Sequence, residues 1–420
     1  MSDNRLFTPL TLPNGVVIPN RICKAAMEEN MAEYAQLPGQ QLCTLYDKWA
    51  HGGAGLLLTG NVMVSPNALT GAGGVVLDNN HNIDRFKQWA KQGTQNGTQL
   101  WMQISHPGRQ LYANLGEQAL SPSDVALDLG RFSTLFSQPR ALTKDEIEDV
   151  IQRFANTAML AESAGFTGVQ IHSAHGYLLS QFLSPLVNQR DDEWGGSLEN
   201  RARLLLNVVT RVRQSVAADF CVSVKLNSAD FQKGGFDADD AKWVVSQLNG
   251  MGVDLIELSG GSYESPAMQG NAADGSSTGR REAYFIDFAR DIAAMADMPI
   301  MVTGGIKRKK IAEDALNVDG KLPAVDMIGL ATALAYEPDL PKQWQADKSV
   351  DVDLPRLTWR NPTLSALGTM SVIKSQLHAL STGKPVNYKT NPILAIIKDR
   401  LRVVKQAKRY KRWRASDETG

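Results

Sequence analysis

Short apolar runs alternate along the chain with longer stretches in which apolar residues recur every three or four positions. Strands and amphipathic helices leave these two signatures, because their side chains repeat with periods of 2 and 3.6 residues. Eight runs read as strands: Ile22 to Ala26, Gly55 to Thr59, Gln99 to Ser105, Gly168 to His172, Cys221 to Leu226, Leu255 to Ser259, Ile300 to Thr303, and Asp326 to Leu330. A helical pattern follows most of them. Thr143 and Glu146 form a capping box ahead of Ile147, Ile151 and Phe154, and Ser197 precedes a helix whose apolar face carries Leu205, Val208, Val209 and Val212. Asp237 and Asp240 open another before Trp243, Val244 and Leu248. Continuous apolar strands such as GLLL and VDLIEL belong in a parallel sheet covered on both faces. Eight strand-helix units predict an α/β fold of the closed (β/α)8 TIM barrel type. An open doubly wound sheet is the competing arrangement, but it usually carries a glycine fingerprint after its first strand, and ICKAAMEEN has none. The segment Leu10 to Ile18, with apolar ends around Pro13, Asn14 and Gly15, predicts an N-terminal β-hairpin that plugs the barrel's lower end.

Two regions exceed this frame. His106 to Leu142 is rich in Gly, Ser, Pro and Leu and too long for an ordinary connection, so it reads as a lid or substrate-facing subdomain. After about Lys348 the barrel is complete, which divides the chain into a barrel over residues 1–348 and a C-terminal extension over 349–420. In the extension, Pro-punctuated turns lead to a helix from about Pro392. It carries Lys398, Arg400, Arg402, Lys405, Lys408, Arg409, Lys411, Arg412 and Arg414 against the single Asp399. The simplest expectation is a solvated basic helix that lays Ile396, Leu401 and Val404 on the barrel or on a second subunit, making a homo-oligomer; a membrane surface or an acidic partner is the alternative.

Composition narrows the function. The 420 residues carry 44 Lys and Arg against 44 Asp and Glu, a balance that excludes a strongly basic nucleic-acid binder. No apolar stretch is long enough for a transmembrane segment, and Met1 to Leu10 lacks a secretion-signal pattern, so a soluble, cytoplasmic protein is expected. Cys23, Cys43 and Cys221 are odd in number and far apart, which supports neither a disulfide framework nor a four-cysteine cluster.

In a TIM barrel the active site lies at the C-terminal ends of the strands. The fourth predicted strand ends in Gln170-Ile171-His172-Ser173-Ala174-His175-Gly176-Tyr177, which gathers two imidazoles and a phenol at one strand end. Two such donors polarise a carbonyl or nitro oxygen, and a tyrosine supplies a proton. A metal reading of the His pair needs a third ligand at another strand end; Glu28 and Glu257 lack a diagnostic spacing, and no metal is assigned. Lys225, in VSVKLN, is either a Schiff-base lysine or a cation that neutralises a cofactor's negative charge. Thr303-Gly304-Gly305 ends the seventh strand, where backbone amides of barrels often approach a phosphate. Gln103 reads as an inward polar amide, an edge contact if a ring cofactor is present.

These residues match a known pattern. From about Leu6 to Trp344 the chain resembles the Old Yellow Enzyme family of flavin-dependent NAD(P)H oxidoreductases, most specifically in HSAHGYLLSQFLSPLVNQRDDEWGGSLENRARLL from His172 to Leu205. PNRICKAAM, GLLLTGNVMV, WMQISHPGRQ, VSVKLNSAD, VDLIELSGG and MVTGGI support it at the matching strands. The resemblance implies a non-covalent FMN across the barrel mouth. Ala25, Ala26 and Met27 would line it, Asn61 and Gln103 would bond its ring edge, and Lys225 would stand beside it. Thr303, Gly304, Gly305, Ala331 and Thr332 would hold its phosphate. His172 and His175 would bind the activating oxygen of a substrate, an activated alkene such as an enone or nitroalkene, with Tyr177 as proton donor and Glu28 and Arg109 in the pocket. NAD(P)H would reduce the flavin and leave before the alkene enters. Three positions depart from the family pattern: Glu28 follows Met27 where Cys or Thr is frequent, Ala331-Thr332 replaces Gly-Arg and shifts a phosphate-binding cation to Lys307 or Arg308, and Trp194 replaces Tyr. The absence of clustered cysteines sets the chain apart from the larger iron-sulfur branch as a barrel-only form. The residue-level alternatives are an aldolase-like barrel using Lys225 and a non-catalytic scaffold.

Overall fold

The computed structural model describes residues 4–261, 264, 288–317, 325–348, 350–352, 354 and 357–417. Eight parallel strands form its centre: β1 (Ile22–Lys24), β2 (Leu56–Leu58), β3 (Gln99–Ser105), β4 (Gly168–Ser173), β5 (Cys221–Asn227), β6 (Leu255–Ser259), β7 (Ile300–Thr303) and β8 (Met327–Leu330). Each pairs with its sequence neighbour, and β8 pairs with β1 through Ile328 opposite Ile22, so the sheet closes on itself. The expected (β/α)8 barrel is present. An added pair of short strands, Val62–Met63 and Val75–Val76, was not legible as strands; the first extends the sheet beside Ile104 and Ser105 of β3.

The helical starts follow their sequence signals. Thr143 accepts from the Glu146 amide while the Glu146 carboxylate accepts from the Thr143 amide, closing the box at the head of Lys144–Ser163. Ser197 caps Leu198–Ser215, and Asp237 caps Ala238–Leu248 by accepting from two amides. Outward-facing strand residues such as Val169, Ile171, Val222 and Val224 pack with the helices in one continuous core. Within it, Trp49, Tyr46, Trp89 and Phe166 form successive edge-to-face contacts at 5.2, 5.2 and 5.6 Å.

The inward-facing residues are layered. At the strand starts, Cys23, Leu56, Leu58, Trp101, Cys221, Leu255, Met301 and Met327 make an apolar floor. Leu10, Leu12 and Ile18 of the N-terminal hairpin complete it, with Leu10–Thr11 antiparallel to Val17–Ile18. The hairpin is the expected plug. Above the floor the inward residues turn polar, so the period-2 alternation that hides Val and Ile on the outer face points Gln103, Gln170, Ser223, Lys225 and Glu257 into the barrel.

The lid region folds over the top as short turns around a two-stranded parallel pair, Ala119–Ser121 with Pro139–Ala141. In the extension, a helix occupies Pro362–Ser381 where turns were expected. Its sequence TLSALGTMSVIKSQLHALS has little charge and no clear apolar face, so the periodicity that marks a surface helix is missing. The terminal helix, Pro392–Asp417, forms as expected but rotated: Leu401 and Val404 are exposed, Ile396 is half-buried, and the side facing the barrel is built on Ala395, Asp399, Gln406, Ala407 and Tyr410. Ala407 and Tyr410 join an apolar cluster with Met63, Leu69 and Leu115, and hydrogen bonds favour the same rotation. Tyr410 donates to the Pro66 carbonyl at 2.8 Å or to Glu117 at 2.7 Å, and Gln406 donates to the Asn30 carbonyl at 2.6 Å.

Candidate active site

The polar layer at mid-barrel is a connected chain of hydrogen bonds. Gln103 donates to Gln170 at 2.7 Å, Gln170 donates to Glu257 at 2.8 Å, and Lys225 donates to the other Glu257 oxygen at 2.7 Å. Strand register makes this possible, because Gln103 lies opposite Gln170 and Lys225 opposite Glu257. Each buried polar group in the chain thereby gains a partner, the condition under which such a network orders a core rather than weakening it. The Lys225 amine is spent on an ion pair and stands as a fixed cation, not as a free nucleophile.

One step higher, His172 lies opposite Lys225 across the β4–β5 pair and is buried. Its Nδ1 accepts from the Ala174 amide at 3.2 Å, which leaves Nε2 to carry the proton of a neutral ring. Burial, then the neighbouring His175 and Lys225, push its pKa well below the usual imidazole value. The ring is therefore neutral at pH 7 and presents Nε2–H as a donor.

His175 sits at φ +61°, in the left-handed region that a non-glycine residue seldom occupies. Three contacts hold it there. Its amide donates to Asn227 Oδ1 at 3.0 Å, its carbonyl accepts from Gln110 at 2.8 Å, and its Nε2 lies 2.7 Å from Ser259 Oγ. Burial and then Lys225 lower its pKa well below the ordinary value as well. The Tyr177 ring packs edge-on against the His172 ring at 4.8 Å, and the His175 ring meets the His172 ring at 5.1 Å. Asn61, from the loop after β2, reaches the Tyr177 hydroxyl at 3.5 Å. The structure thus brings together all three residues singled out at the end of β4, and adds Asn61 to them.

Sequence reasoning passed over Asn227 and Ser259, which brace His175. The signal was there: each lies two positions after an inward charge, Lys225 or Glu257, and so points the same way. It also passed over a buried cluster behind β1. Lys24 donates to the Leu58 carbonyl at 2.7 Å and pairs with Glu29 at 3.5 Å, while Tyr46 donates to Glu29 at 2.5 Å. The Gly60 amide also faces Glu29, at 3.3 Å. A side chain at Gly60 would meet Glu29 Oε2 at 2.1 Å and the Met27 carbonyl at 2.4 Å, so only glycine lets the loops carrying Met27 and Asn61 meet. The clue was a lysine inside the apolar strand Ile22 to Ala26.

The remaining candidates are spread around the mouth. Ala25 is buried, with its amide spent on Leu330 at 2.9 Å, and Ala26 and Met27 are half-buried beside it. Glu28 accepts a short hydrogen bond from the Thr70 hydroxyl. Arg109 bolts the lid rather than pointing free: it donates to the Val125 and Ala126 carbonyls at 3.3 and 2.9 Å and pairs with Glu264 at 2.6 Å. Across the mouth, Thr303 packs over Gly329, whose added Cβ would lie 1.9 Å from Thr303 Oγ1. Gly304 and Gly305 follow on the exposed rim, with open space at Gly304, and Ala331 and Thr332 lie half-buried at the end of β8. Two buried polar atoms here, Asn61 Oδ1 and Thr303 Oγ1, have no partner among the described residues. Among the described residues no group of three His, Cys, Asp or Glu side chains is placed to hold a metal ion.

This geometry agrees with comparisons to known proteins. The NADH:flavin oxidoreductase / NADH oxidase family model matches residues 5–350. The chain is 36% identical to the NADH-dependent flavin oxidoreductase iliE of Hypocrea jecorina, over 81% of this chain and 89% of that protein. It is 37% identical to the NADH-dependent flavin oxidoreductase nadA of Aspergillus parasiticus, over 77% and 74% respectively. In fold it resembles the old yellow enzyme homologue from Zymomonas mobilis, with a TM-score of 0.70 and 24% identity over 83% of this chain and 94% of that one. A matching family model over most of its length and relatives above a third identical place the chain among FMN-dependent NAD(P)H oxidoreductases: it belongs to the NADH:flavin oxidoreductase / NADH oxidase family.

Proposed function

We propose that the chain is an ene reductase, passing hydride from NAD(P)H through FMN to an activated carbon-carbon double bond such as that of an enone or nitroalkene. The observation that carries this reading is the pair of neutral imidazoles at the end of β4, His172 buried and His175 half-buried, with a tyrosine packed against His172. The residues present fit the flavin. Asn61 Oδ1 and Thr303 Oγ1 are buried without partners among the described residues, and the rim is open at Gly304, where a phosphate would rest. In this reading Ala25, Ala26 and Met27 line the ring, Asn61 and Gln103 meet its edge, and Lys225 stands near as a compensating cation. Thr303, Gly304, Gly305, Ala331 and Thr332 hold the phosphate, with Lys307 and Arg308 in the same turn supplying positive charge that Ala331-Thr332 lacks. Bound FMN supplies the hydride acceptor and donor.

The protein's own part is polarisation and proton supply. His172 Nε2–H and the His175 ring bond the carbonyl or nitro oxygen of the substrate and stabilise the negative charge that grows on it as hydride reaches the β carbon. Because that charge develops mainly in the transition state, these donors act on rate more than on binding. Ser259 fixes the His175 ring, and Tyr177 gives its proton to the α carbon. Glu28 narrows the choice of substrate by repelling anions. The Lys225–Glu257 ion pair argues against a Schiff-base aldolase.

The test is the visible spectrum of the purified protein, followed anaerobically as NADPH or NADH and then cyclohexenone are added. A flavin band that bleaches with the nicotinamide and returns with the enone supports the proposal. A flavin that is reduced but never reoxidised by enones or nitroalkenes refutes the ene-reductase assignment.

A further inference from the structure

The terminal helix, Pro392–Asp417, leaves its larger aliphatic residues on the outside. Its inner side buries Ala395, Ala407 and Tyr410, and there Gln406, Tyr410 and Arg414 bond Asn30, Pro66 and Glu117, while Asp399 pairs with Arg402 at 3.7 Å. Its outer side exposes Ile393 (61%), Leu394 (54%), Ile397 (49%), Leu401 (66%) and Val404 (52%). These positions recur at helical spacing and form one stripe. Lys398, Arg400 and Lys405 flank the stripe, and Lys408, Lys411 and Arg412 continue the same exposed face toward the C-terminus. Between Pro392 and Ser416 the one acidic residue is Asp399, which is buried.

We infer that this face lies on an anionic lipid bilayer, with the helix in the plane of the interface. An apolar stripe bordered by Lys and Arg is the pattern that buries in the acyl-headgroup boundary while its cations meet lipid phosphates. The contact is peripheral, since no helix among the described residues is long and apolar enough to cross a membrane. A second copy of the chain fits the charge less well. Two such helices packed stripe to stripe would set Lys398, Arg400 and Lys405 against their own counterparts, and between Pro392 and Ser416 the buried Asp399 is the one acid that could pair them. The helix packs chiefly on Pro362–Ser381 and also touches Tyr34–Gln36 and Ala113–Leu115, in the loops after β1 and β3.

The experiment is flotation of the full-length protein with vesicles of phosphatidylcholine alone and of phosphatidylcholine mixed with phosphatidylserine. The expected result is flotation with the mixed vesicles, weakened by added salt, and at least about tenfold weaker partition to phosphatidylcholine alone. Ile397→Ser with Leu401→Ser should abolish flotation. Lys405→Gln with Lys408→Gln should weaken it on the order of tenfold. All four side chains are exposed, so circular dichroism and thermal unfolding of the variants should match the parent. Absence of flotation at low salt overturns the inference, as does flotation that the substitutions leave unchanged. A parent that sediments as a dimer, becomes monomeric on Leu401→Ser and ignores vesicles assigns the face to a second copy instead.

Discussion

His175 shows how much local constraint one functional side chain requires. Its left-handed backbone costs about 1–3 kcal/mol, which the bonds from Asn227, Gln110 and Ser259 offset. Asn tolerates that conformation and keeps a side-chain donor, whereas Ala does neither. His175→Asn should therefore retain a measurable share of enone reduction, while His172→Ala should lower kcat by about 100-fold, both with the flavin spectrum and the rate of its reduction by NADPH unchanged. Stopped-flow measurement of the two half-reactions separates these outcomes; a loss confined to the NADPH step would contradict the assigned role. The His172, His175 and Tyr177 cluster was legible because it is contiguous in sequence. Its supports were less so: Asn227 and Ser259 lie on other strands, and only their place two positions after an inward charge marks them. Arg109 shows the opposite case: a cation in a motif suggests a ligand, but here its two terminal nitrogens bond lid carbonyls and Glu264, and Nε has no partner among the described residues.

Among the elements, strands and capped helices were read most accurately. Period-2 and 3.6 patterns and caps act locally, so β3 spans Gln99–Ser105 and β6 spans Leu255–Ser259 as expected. The two misread pieces lie in the extension, where local pattern does not control packing. Pro362–Ser381 is apolar without a face, and Pro392–Asp417 is oriented by its packing on Met63, Leu69 and Leu115 together with its bonds to Asn30, Pro66 and Glu117. Two elements carry predictions of their own. Thr143→Ala removes one half of the capping box on Lys144–Ser163 and should cost about 1 kcal/mol in urea unfolding. Lys24→Met leaves Glu29 buried without its cation and should cost about 3–5 kcal/mol, much of it restored when Glu29→Gln is added. If the double variant were no more stable than the single one, the ion pair would not be what fixes the loop after β1 against that strand.

On the scale of the whole molecule, buried imidazoles set the response to acid. Burial lowers the pKa of His106 and of His378 to about 3, and those of His172 and His175 also lie well below 6.5. Below pH 6.5 the unfolded chain takes up protons that the folded chain refuses. Stability is therefore full above about pH 6.5 and falls as the pH drops from there toward about 3. The urea midpoint should decrease steadily between pH 7 and pH 5, and His378→Gln should make that decline shallower; a midpoint independent of pH would refute the account. Closure of the barrel has a further bearing, on synthesis. Ile22 leaves the ribosome early, yet its partner Ile328 follows only when most of the chain has been made. Until then β1 presents one unpaired edge, and the growing sheet another, to every other nascent chain nearby. Both edges stay open until the last strand arrives, so chaperones that shield them during synthesis should raise the yield of folded protein.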